Sequence, residues 1–276
     1  MKEGQDKRVV NADKFRRLHA GPELLILTNA WDAASARVLV GLGAKAIATS
    51  SAAVAWAHGY PDGNTLPIRL LLATLRDIAR VVTVPITADI EGAYSDDPRT
   101  VGDTISALID VGVVGINLED GSGSPAQLCA KIEAAREAAE QSGVSIFVNA
   151  RTDVFLRKLT CGPDAIHEAI ARAKNYSAAG ADGVFVPGVI DPVTIEQLAN
   201  EITRPLNVMA RPGLPLARDL LRLGVRRLSA AAWLARVALR AVRESGATFL
   251  ATGDSDVLAG ASGLTVDYNA LFVTSS

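Results

Sequence analysis

The chain has 276 residues, of which 49% are hydrophobic and 21% charged, a size and balance that one α/β barrel can use without a second domain. Its formal net charge of -2 and the absence of a basic stripe argue against a nucleic-acid or anionic-membrane partner. The N-terminus is polar and shows no signal peptide, and no apolar run reaches about 18 residues. The two cysteines, Cys129 and Cys161, have neither metal-site nor redox spacing. Together these features predict a cytoplasmic protein.

Eight short apolar runs recur along the chain, in the form typical of strands that are buried on both faces. They cover residues 24–28, 46–50, 85–89, 115–119, 146–150, 183–187, 206–210 and 226–230. Segments with helical periodicity lie between them, at residues 33–40, 68–80, 98–110, 127–141, 163–179, 192–200 and 215–222. This alternation predicts a (β/α)8 TIM-type barrel, and an open parallel sheet with extra strands is the alternative.

The C-terminal part of the sequence differs from this repeat. Residues 231–250 are rich in Ala, Leu and Arg and predict a long added helix, whereas residues 251–276 form a looser, Gly- and Ser-containing tail. We therefore predict one domain over residues 1–276, with the barrel and its C-terminal helix at 13–250. The tail is expected to close over the barrel's mouth.

Acidic side chains gather at predicted strand ends. Asp89 and Glu91 lie at the end of the third strand, and Glu119 ends the fourth. Barrel enzymes build their active sites at the C-terminal ends of the strands, and Mg²⁺ prefers carboxylate and water oxygens. The spacing therefore predicts a metal held by these three acids. The alternative is that one or two of them cap helices or pair with arginines at the surface.

Two further features at the same ends predict carboxylate binding. Arg151 follows the fifth strand, and its guanidinium could clamp a substrate carboxylate. The alternative role for Arg151 is a buried salt bridge with Asp153 or Glu119. After the second strand, the small residues Ser51 and Ala52 form a turn whose N–H groups could cradle a second carboxylate.

Four segments together resemble the isocitrate lyase/phosphoenolpyruvate mutase superfamily. They are LTNAWDAASARVLVGLGAKAIATSSAAVAWAHGYPDG, PITADIEGAY, GINLEDG and FVNARTDVF. The resemblance extends from residue 15 to about residue 247, and it is specific because the segments occur together at these spacings. It implies the barrel fold and a divalent cation, Mg²⁺ with Mn²⁺ as an alternative.

The resemblance also implies roles for individual residues. Asp89 matches the direct metal ligand, and Glu91 and Glu119 match acids that hold the metal largely through water. Arg151 and the turn at Ser50, Ser51 and Ala52 match groups that bind substrate carboxylates. Asp62 matches an aspartate near the metal and substrate, and Trp31 and Asp32 match an aromatic residue and an acid beside the site. The superfamily further exchanges its C-terminal helix between subunits, which implies a homodimer or tetramer here.

The loop after the fourth strand departs from the superfamily's pattern. Members that cleave carbon–carbon bonds carry a long Lys-Lys/Arg-Cys-Gly-His loop there, whose cysteine is the acid/base. This chain has only the short segment DGSGSP before the next helix, and Cys129 falls within that helix. The Lys-Thr-Asn-like loop of phosphonate-handling members is also missing. The acid/base must therefore come from elsewhere, with Asp62, His58 and Tyr94 as candidates.

The resulting expectation is a Mg²⁺-dependent carbon–carbon lyase. It would act on a small 2-oxo or 2-hydroxy di- or tricarboxylate, similar to isocitrate, 2-methylisocitrate or oxaloacetate, through a metal-stabilised enolate. One alternative is a phosphonopyruvate-type mutase or hydrolase. The other is a barrel that binds an organic acid with little turnover.

Overall fold

Eight parallel strands close into a barrel in a computed structural model, which describes residues 2–259 and 267–272. Each strand pairs with its sequence neighbours, and β8 pairs with β1, so the barrel prediction is confirmed and the open sheet is wrong. The strands are β1 Leu25–Ala30, β2 Ile47–Thr49, β3 Ile86–Asp89, β4 Gly115–Glu119, β5 Phe147–Arg151, β6 Gly183–Phe185, β7 Leu206–Met209 and β8 Arg227–Ser229.

Helices surround the barrel and follow the strands in alternation. They are α1 Lys2–Ala20, α2 Ala33–Gly41, α3 Ser51–Ala57, α4 Ile68–Val81, α5 Pro98–Asp110, α6 Pro125–Ser142, α7 Gly162–Ala178, α8 Pro192–Glu201, α9 Ala217–Arg222, α10 Trp233–Thr252 and α11 Asp256–Ala259, with a short 3-10 helix at Asn269–Phe272. Several begin at a capping side chain followed by proline, as in α5, α6 and α8. The helix α1 was not predicted from the sequence, and the start of α3 was predicted only as a turn.

The barrel interior is unusually polar. Asn117 of β4 lies opposite Asn149 of β5, and the Asn149 side chain donates to Asn117 Oδ1 at 2.9 Å. Arg227 of β8 reaches the same oxygen with Nη2 at 3.1 Å, although its side chain is fully buried. Alternate strand residues share a face, so the residues two positions after Asn117 and Asn149 also point inward. Those residues are Glu119 and Arg151, which places both at the C-terminal rim.

The N-terminal helix α1 seals the opposite end of the barrel. Phe15 is fully buried, and its ring meets His19 edge-on at 4.7 Å between centroids, while His19 stacks on Phe147 at 3.9 Å. Gly115 begins β4 beneath this cluster, where an added Cβ would lie only 2.6 Å from Phe15 Cε1. Burial lowers the pKa of His19 to about 3, so it stays neutral.

The C-terminal helix α10 leaves much of its apolar surface uncovered. Only Ala235 is buried along its length, whereas Val237, Leu239 and Val242 are more than half exposed. The barrel has a matching exposed area, since Ile26 in the middle of β1 is 56% exposed. No helix in the described ranges is both long and apolar enough to cross a membrane.

The described part of the C-terminal tail lies against the outside of the barrel. In the 3-10 helix, the Leu271 carbonyl accepts a hydrogen bond from Arg37 Nε at 2.6 Å, and Arg37 belongs to the outer helix α2. The prediction that the tail closes over the barrel's mouth also depends on residues 260–266 and 273–276, which lie outside the described residues.

Candidate active site at the ends of strands three to five

Asp89, the last residue of β3, is fixed by the start of α3. Its Oδ2 accepts hydrogen bonds from the N–H and hydroxyl of Ser51, at 3.2 and 2.9 Å. Its own N–H donates to Thr49 Oγ1 at 3.0 Å. The second carboxylate oxygen, Oδ1, is buried and has no hydrogen-bond partner among the described residues. A buried anionic oxygen without a donor is costly, so Asp89 is arranged to accept a further ligand.

The loop after β3 holds Glu91 in a strained conformation. Glu91, Ala93 and Tyr94 all have positive φ angles, of 52°, 65° and 59°, which side-chain-bearing residues rarely adopt. The Glu91 side chain is buried and accepts a hydrogen bond from the N–H of Asn64. Backbone strain of this kind persists where the surroundings enforce it, and it concentrates at functional sites. Here it turns the Glu91 carboxylate towards the rim.

Glu119 and Arg151 form an ion pair at the rim. Arg151 Nη1 lies 2.6 Å from Glu119 Oε2, but the approach is not aligned for a hydrogen bond. The other side of the guanidinium binds Asp153 in a bidentate manner, with Nε–Oδ1 at 2.7 Å and Nη2–Oδ2 at 3.1 Å. The salt bridges given as the alternative role for Arg151 are therefore both present.

Asp120 anchors this pair to the barrel's outer layer. Its Oδ2 accepts from the hydroxyl of Tyr176 at 2.6 Å and from Arg172 Nη1 at 2.9 Å, both on α7. Its Oδ1 accepts from the N–H of Asp153 at 2.8 Å, which positions the carboxylate that holds Arg151. Neither Asp120 nor Tyr176 was predicted as a positioning residue, and Asp153 was predicted only as a possible salt-bridge partner of Arg151. The acid following Glu119 in the quoted GINLEDG segment was the available signal.

Asp62 lies in the loop between α3 and α4, at the mouth of a cavity of about 180 Å³. The cavity wall includes Ser51, Glu91, Glu119 and Arg151, so five of the predicted site residues surround one space. Burial, followed by the charge of Asp89, raises the pKa of Asp62 above its ordinary value. This position is consistent with the predicted role of Asp62 as a local acid/base.

Glu91 and Glu119 hold protons more tightly than ordinary carboxyl groups, chiefly because they are buried. Burial raises the pKa of Glu91 to about 7 and that of Glu119 to about 8, although Arg151 opposes the second shift. Burial, and then the charges of Glu91 and Asp89, also raise the pKa of Tyr94, whose buried hydroxyl has no partner among the described residues. Tyr94 thus stays protonated and can donate a hydrogen bond into the cluster.

The acid cluster fits a loosely held hard cation better than a closed cage. Within the described part of the chain, no three acidic, histidine or cysteine side chains converge as a ready-made ligand set. Mg²⁺ usually takes one or two carboxylates directly and keeps several waters, so this arrangement suits it. The unpartnered Oδ1 of Asp89 is the oxygen positioned for direct contact. Glu91 and Glu119 would act through water.

Some predicted residues have other partners. His58 is exposed, and its Nε2 lies 2.9 Å from the hydroxyl of Thr74 on α4, which favours a structural role at the end of α3. Asp32 caps α2 by accepting from the N–H of Ser35 at 2.7 Å. Trp31 packs against the core before this cap. None of these contacts brings His58 or Asp32 to the acid cluster.

The predicted turn after β2 is the first turn of α3. Ser50 caps this helix, with its hydroxyl 3.5 Å from the N–H of Ala53. The N–H of Ser51 is already bound to Asp89. Ala52 occupies the second helical position, where an N–H group has no acceptor within its own helix. Of the predicted cradle, Ala52 therefore retains the N–H best suited to a substrate carboxylate.

Comparison with known proteins identifies the family of this chain. Residues 15–250 match the family described as phosphoenolpyruvate phosphomutase. The chain is 36% identical over 219 residues to an uncharacterized protein of Mycobacterium tuberculosis, spanning 78% of this chain and 80% of that one. It is 32% identical over 220 residues to oxaloacetate decarboxylase 1 of Pseudomonas fluorescens, spanning 77% and 75% of the two chains.

A solved structure is also similar to this chain. The chain superimposes with a TM-score of 0.81 on a Burkholderia cenocepacia protein assigned provisionally as a phosphonomutase, with 39% identity over 85% of this chain and 98% of that one. The chain belongs to the phosphoenolpyruvate phosphomutase family, within the isocitrate lyase/phosphoenolpyruvate mutase superfamily.

Proposed function

We propose that the protein is a Mg²⁺-dependent lyase that breaks a carbon–carbon bond in a small 2-oxo or 2-hydroxy di- or tricarboxylate. The observation that carries this proposal is the unpartnered, buried Oδ1 of Asp89, beside acids whose pKa values are raised. A divalent cation would give the Oδ1 of Asp89 a partner, and it would favour the ionised form of the neighbouring acids. When bound, such a cation stabilises the enolate charge that develops as the bond beside the carbonyl breaks.

The chain's own residues would orient the substrate. The guanidinium of Arg151 is held rigidly by Asp153, and its Nη1 edge could bind a substrate carboxylate in place of Glu119, which lies 2.6 Å away. The N–H of Ala52 faces the same rim from the start of α3 and could bind another carboxylate oxygen. Asp62, at the mouth of the cavity, can take up or release a proton.

Decarboxylation is the favoured form of this cleavage. A retro-aldol cleavage releases a carbanion that needs a nearby acid, and the superfamily's loop cysteine is missing after β4. Loss of CO₂ leaves only an enolate, which water or Asp62 can protonate. The similarity to oxaloacetate decarboxylase 1 of Pseudomonas fluorescens, at 32% identity, supports the same choice. An oxaloacetate-like 2-oxo dicarboxylate is therefore our preferred substrate class.

Phosphonate chemistry is a second candidate. Its support is the 39% identity to the Burkholderia cenocepacia protein that is provisionally assigned as a phosphonomutase. The same cation site and the same arginine would serve a 2-oxo acid carrying a phosphonate.

A substrate comparison tests these proposals directly. Oxaloacetate and 3-phosphonopyruvate are each incubated with the protein, with and without Mg²⁺, and the products are followed by ¹H and ³¹P NMR. We expect pyruvate from oxaloacetate, faster than the Mg²⁺-only background, and no phosphate release or rearranged product from 3-phosphonopyruvate. Phosphorus products alone would favour the second candidate. Metal-dependent binding of both acids without turnover would mean a binding protein instead.

The metal-free fold should lose stability as the pH rises. Glu91 and Glu119 have raised pKa values in the folded state, of about 7 and about 8, above the ordinary value of 4.5. The unfolded chain therefore releases these protons first, and folding is penalised progressively between about pH 5 and 8. A cation offsets this penalty. We expect the gain in Tm from Mg²⁺, measured by scanning calorimetry, to be several degrees larger at pH 8 than at pH 6.

The matched control for this prediction is Glu91→Gln. This variant keeps the shape of the side chain but removes one titrating group, so its metal-free Tm should fall less between pH 6 and 8. A Mg²⁺ effect of equal size at both pH values in the natural sequence would contradict the assignment of the acids to a cation site.

We also propose that α10 is exchanged between subunits of a homo-oligomer. The exposed apolar side chains of α10 need a cover, and a groove of about 370 Å³ beside β1 is lined by Leu18, Leu24 and Ile26. A second copy of α10 would fill this groove and bury both apolar surfaces. The cation site lies within one subunit, so assembly and metal binding can be measured separately.

Light scattering coupled to gel filtration tests the exchange. The natural sequence is expected to run as a dimer or tetramer, whereas Val242→Glu should shift the population strongly towards monomer by placing a charge in the apolar contact. Arg243→Ala, an exposed neighbour on the same helix, is the matched control and should leave the mass unchanged. A monomeric natural sequence, or an unaffected Val242→Glu variant, would rule the exchange out.

A further inference from the structure

A second cavity opens beside the candidate site, between the loops that follow β3 and β4. Its volume is about 550 Å³, three times that of the 180 Å³ space at the rim acids. Glu119 and Arg157 line both spaces, so the two cavities adjoin at these side chains. The short loop at Gly121 and Gly123 forms part of the outer wall.

Arg157 is positioned to bind an anion at this junction. Its Nε donates to Asp153 Oδ2 at 2.9 Å, and that carboxylate is fully buried, so the base of the guanidinium is fixed. The side chain is half exposed, and its terminal nitrogens have no acceptor among the described residues. Gly121 lies beside them, since a Cβ there would sit 3.8 Å from Nη2. The guanidinium therefore presents free N–H groups to the cavity.

The other charged groups around this cavity already have partners. Lys131 is bound to the Gly92 carbonyl and to Asp96, each at 2.8 Å. Asp120 is neutralised by Arg172 and hydrogen-bonded to Tyr176. Arg157 is thus the cation that, among the described wall residues, has both terminal nitrogens free for a ligand. A planar guanidinium with two free nitrogens suits a carboxylate, which it can bind in a bidentate manner.

We infer that Arg157 and this cavity form a subsite for an additional carboxylate of the substrate, carried on the fragment that stays in the enolate. The inference rests on the proposed function. A cation holding the carboxylate that departs as CO₂ would stabilise the ground state and slow the reaction, so the group at Arg157 must be retained in the product. The preferred substrate is then a 2-oxo acid whose side chain carries a further carboxylate, rather than unsubstituted oxaloacetate.

Matched pairs of stable 2-oxo acids test the subsite by titration calorimetry in the presence of Mg²⁺. 2-Oxoglutarate and 2-oxoadipate carry a distal carboxylate, and 2-oxopentanoate and 2-oxohexanoate have the same chain lengths without it. For at least one pair, we expect Arg157→Gln to weaken binding of the diacid on the order of tenfold and to leave the monoacid unchanged. Arg157→Lys should retain part of the affinity, because it keeps the charge but loses the fork.

Oxalate and a second arginine provide the controls. Oxalate carries no distal carboxylate, so its Mg²⁺-dependent binding should be equal in the natural sequence and in Arg157→Gln. Arg211→Gln removes another exposed arginine near the rim, one bound to the Gly188 carbonyl, and should change none of these affinities. If oxalate binds with Mg²⁺ but no diacid responds to Arg157→Gln, the subsite is wrong and the proposed function stands. If Mg²⁺ promotes binding of no acid, the proposed function itself fails.

Discussion

Asp89→Asn is expected to remove Mg²⁺-dependent turnover, with a loss of at least about a thousandfold in kcat/KM. The amide keeps the size of the side chain and can still accept from the Ser51 hydroxyl, which lies 2.9 Å from Oδ2 in the natural protein. It lacks the negative charge that a cation requires at the buried, unpartnered oxygen. Losing the cation removes several kcal/mol of enolate stabilisation, and each 1.36 kcal/mol corresponds to about a tenfold change in rate.

The measurement is the initial rate of pyruvate formation from oxaloacetate across a Mg²⁺ titration, together with direct metal binding by calorimetry. Asp103→Asn, which removes an exposed acid on the outer helix α5, is the control and should behave like the natural sequence. The Tm of each variant checks that the fold is retained. An Asp89→Asn protein that still binds Mg²⁺ with unchanged affinity would show that the cation site lies elsewhere.

The location of Asp89 was accessible from the sequence because parallel strands buried on both faces appear as uninterrupted apolar runs. The predicted third run, residues 85–89, ends where β3 ends, and the fourth coincides with β4 Gly115–Glu119. Once the strands are placed, the barrel's geometry brings their C-terminal ends to one rim. The placement of Asp89, Glu119 and Arg151 at one rim can then be predicted without any knowledge of side-chain contacts.

The partners of these residues were not accessible in the same way. Arg151 has two carboxylate partners, and the choice between a clamp and a salt bridge depends on the contacts with Asp153 and Glu119. The positive φ angles of Glu91 and Ala93 are likewise imposed by tertiary packing, since neither residue type favours them. His58 was proposed by residue type alone, and the sequence did not show that its side chain contacts Thr74 on α4.

The helix α1 was missed because its function depends on very few side chains. Its sequence is mostly polar, and the apolar periodicity that identifies the barrel helices is weak there. Phe15 and His19 supply the contact, by packing against Phe147 at the start of β5. A single aromatic residue in a polar sequence does not identify a helix that packs on the barrel. In the structure, however, the side chain of this residue closes the N-terminal end of the barrel.

Phe15→Ala is therefore expected to destabilise the protein by about 3–5 kcal/mol, the cost of emptying a well-packed aromatic site in a core. Phe15 is fully buried, and its ring contacts both His19 and Phe147. The space it leaves lies directly against Gly115, which has no side chain to refill it. Urea unfolding followed by circular dichroism measures the change, provided that the Mg²⁺ concentration is held constant.

Val10→Ala is the matched control, because Val10 lies on the same helix but is 60% exposed, and its loss should change stability by less than about 0.5 kcal/mol. A change at one end of the barrel is also expected to have little effect at the other end. Glu119 lies four residues beyond Gly115, roughly 13 Å along the strand. Phe15→Ala should thus lower stability while the Mg²⁺ affinity of the folded protein stays within about twofold. Stability equal to that of Val10→Ala would mean that α1 does not close the barrel.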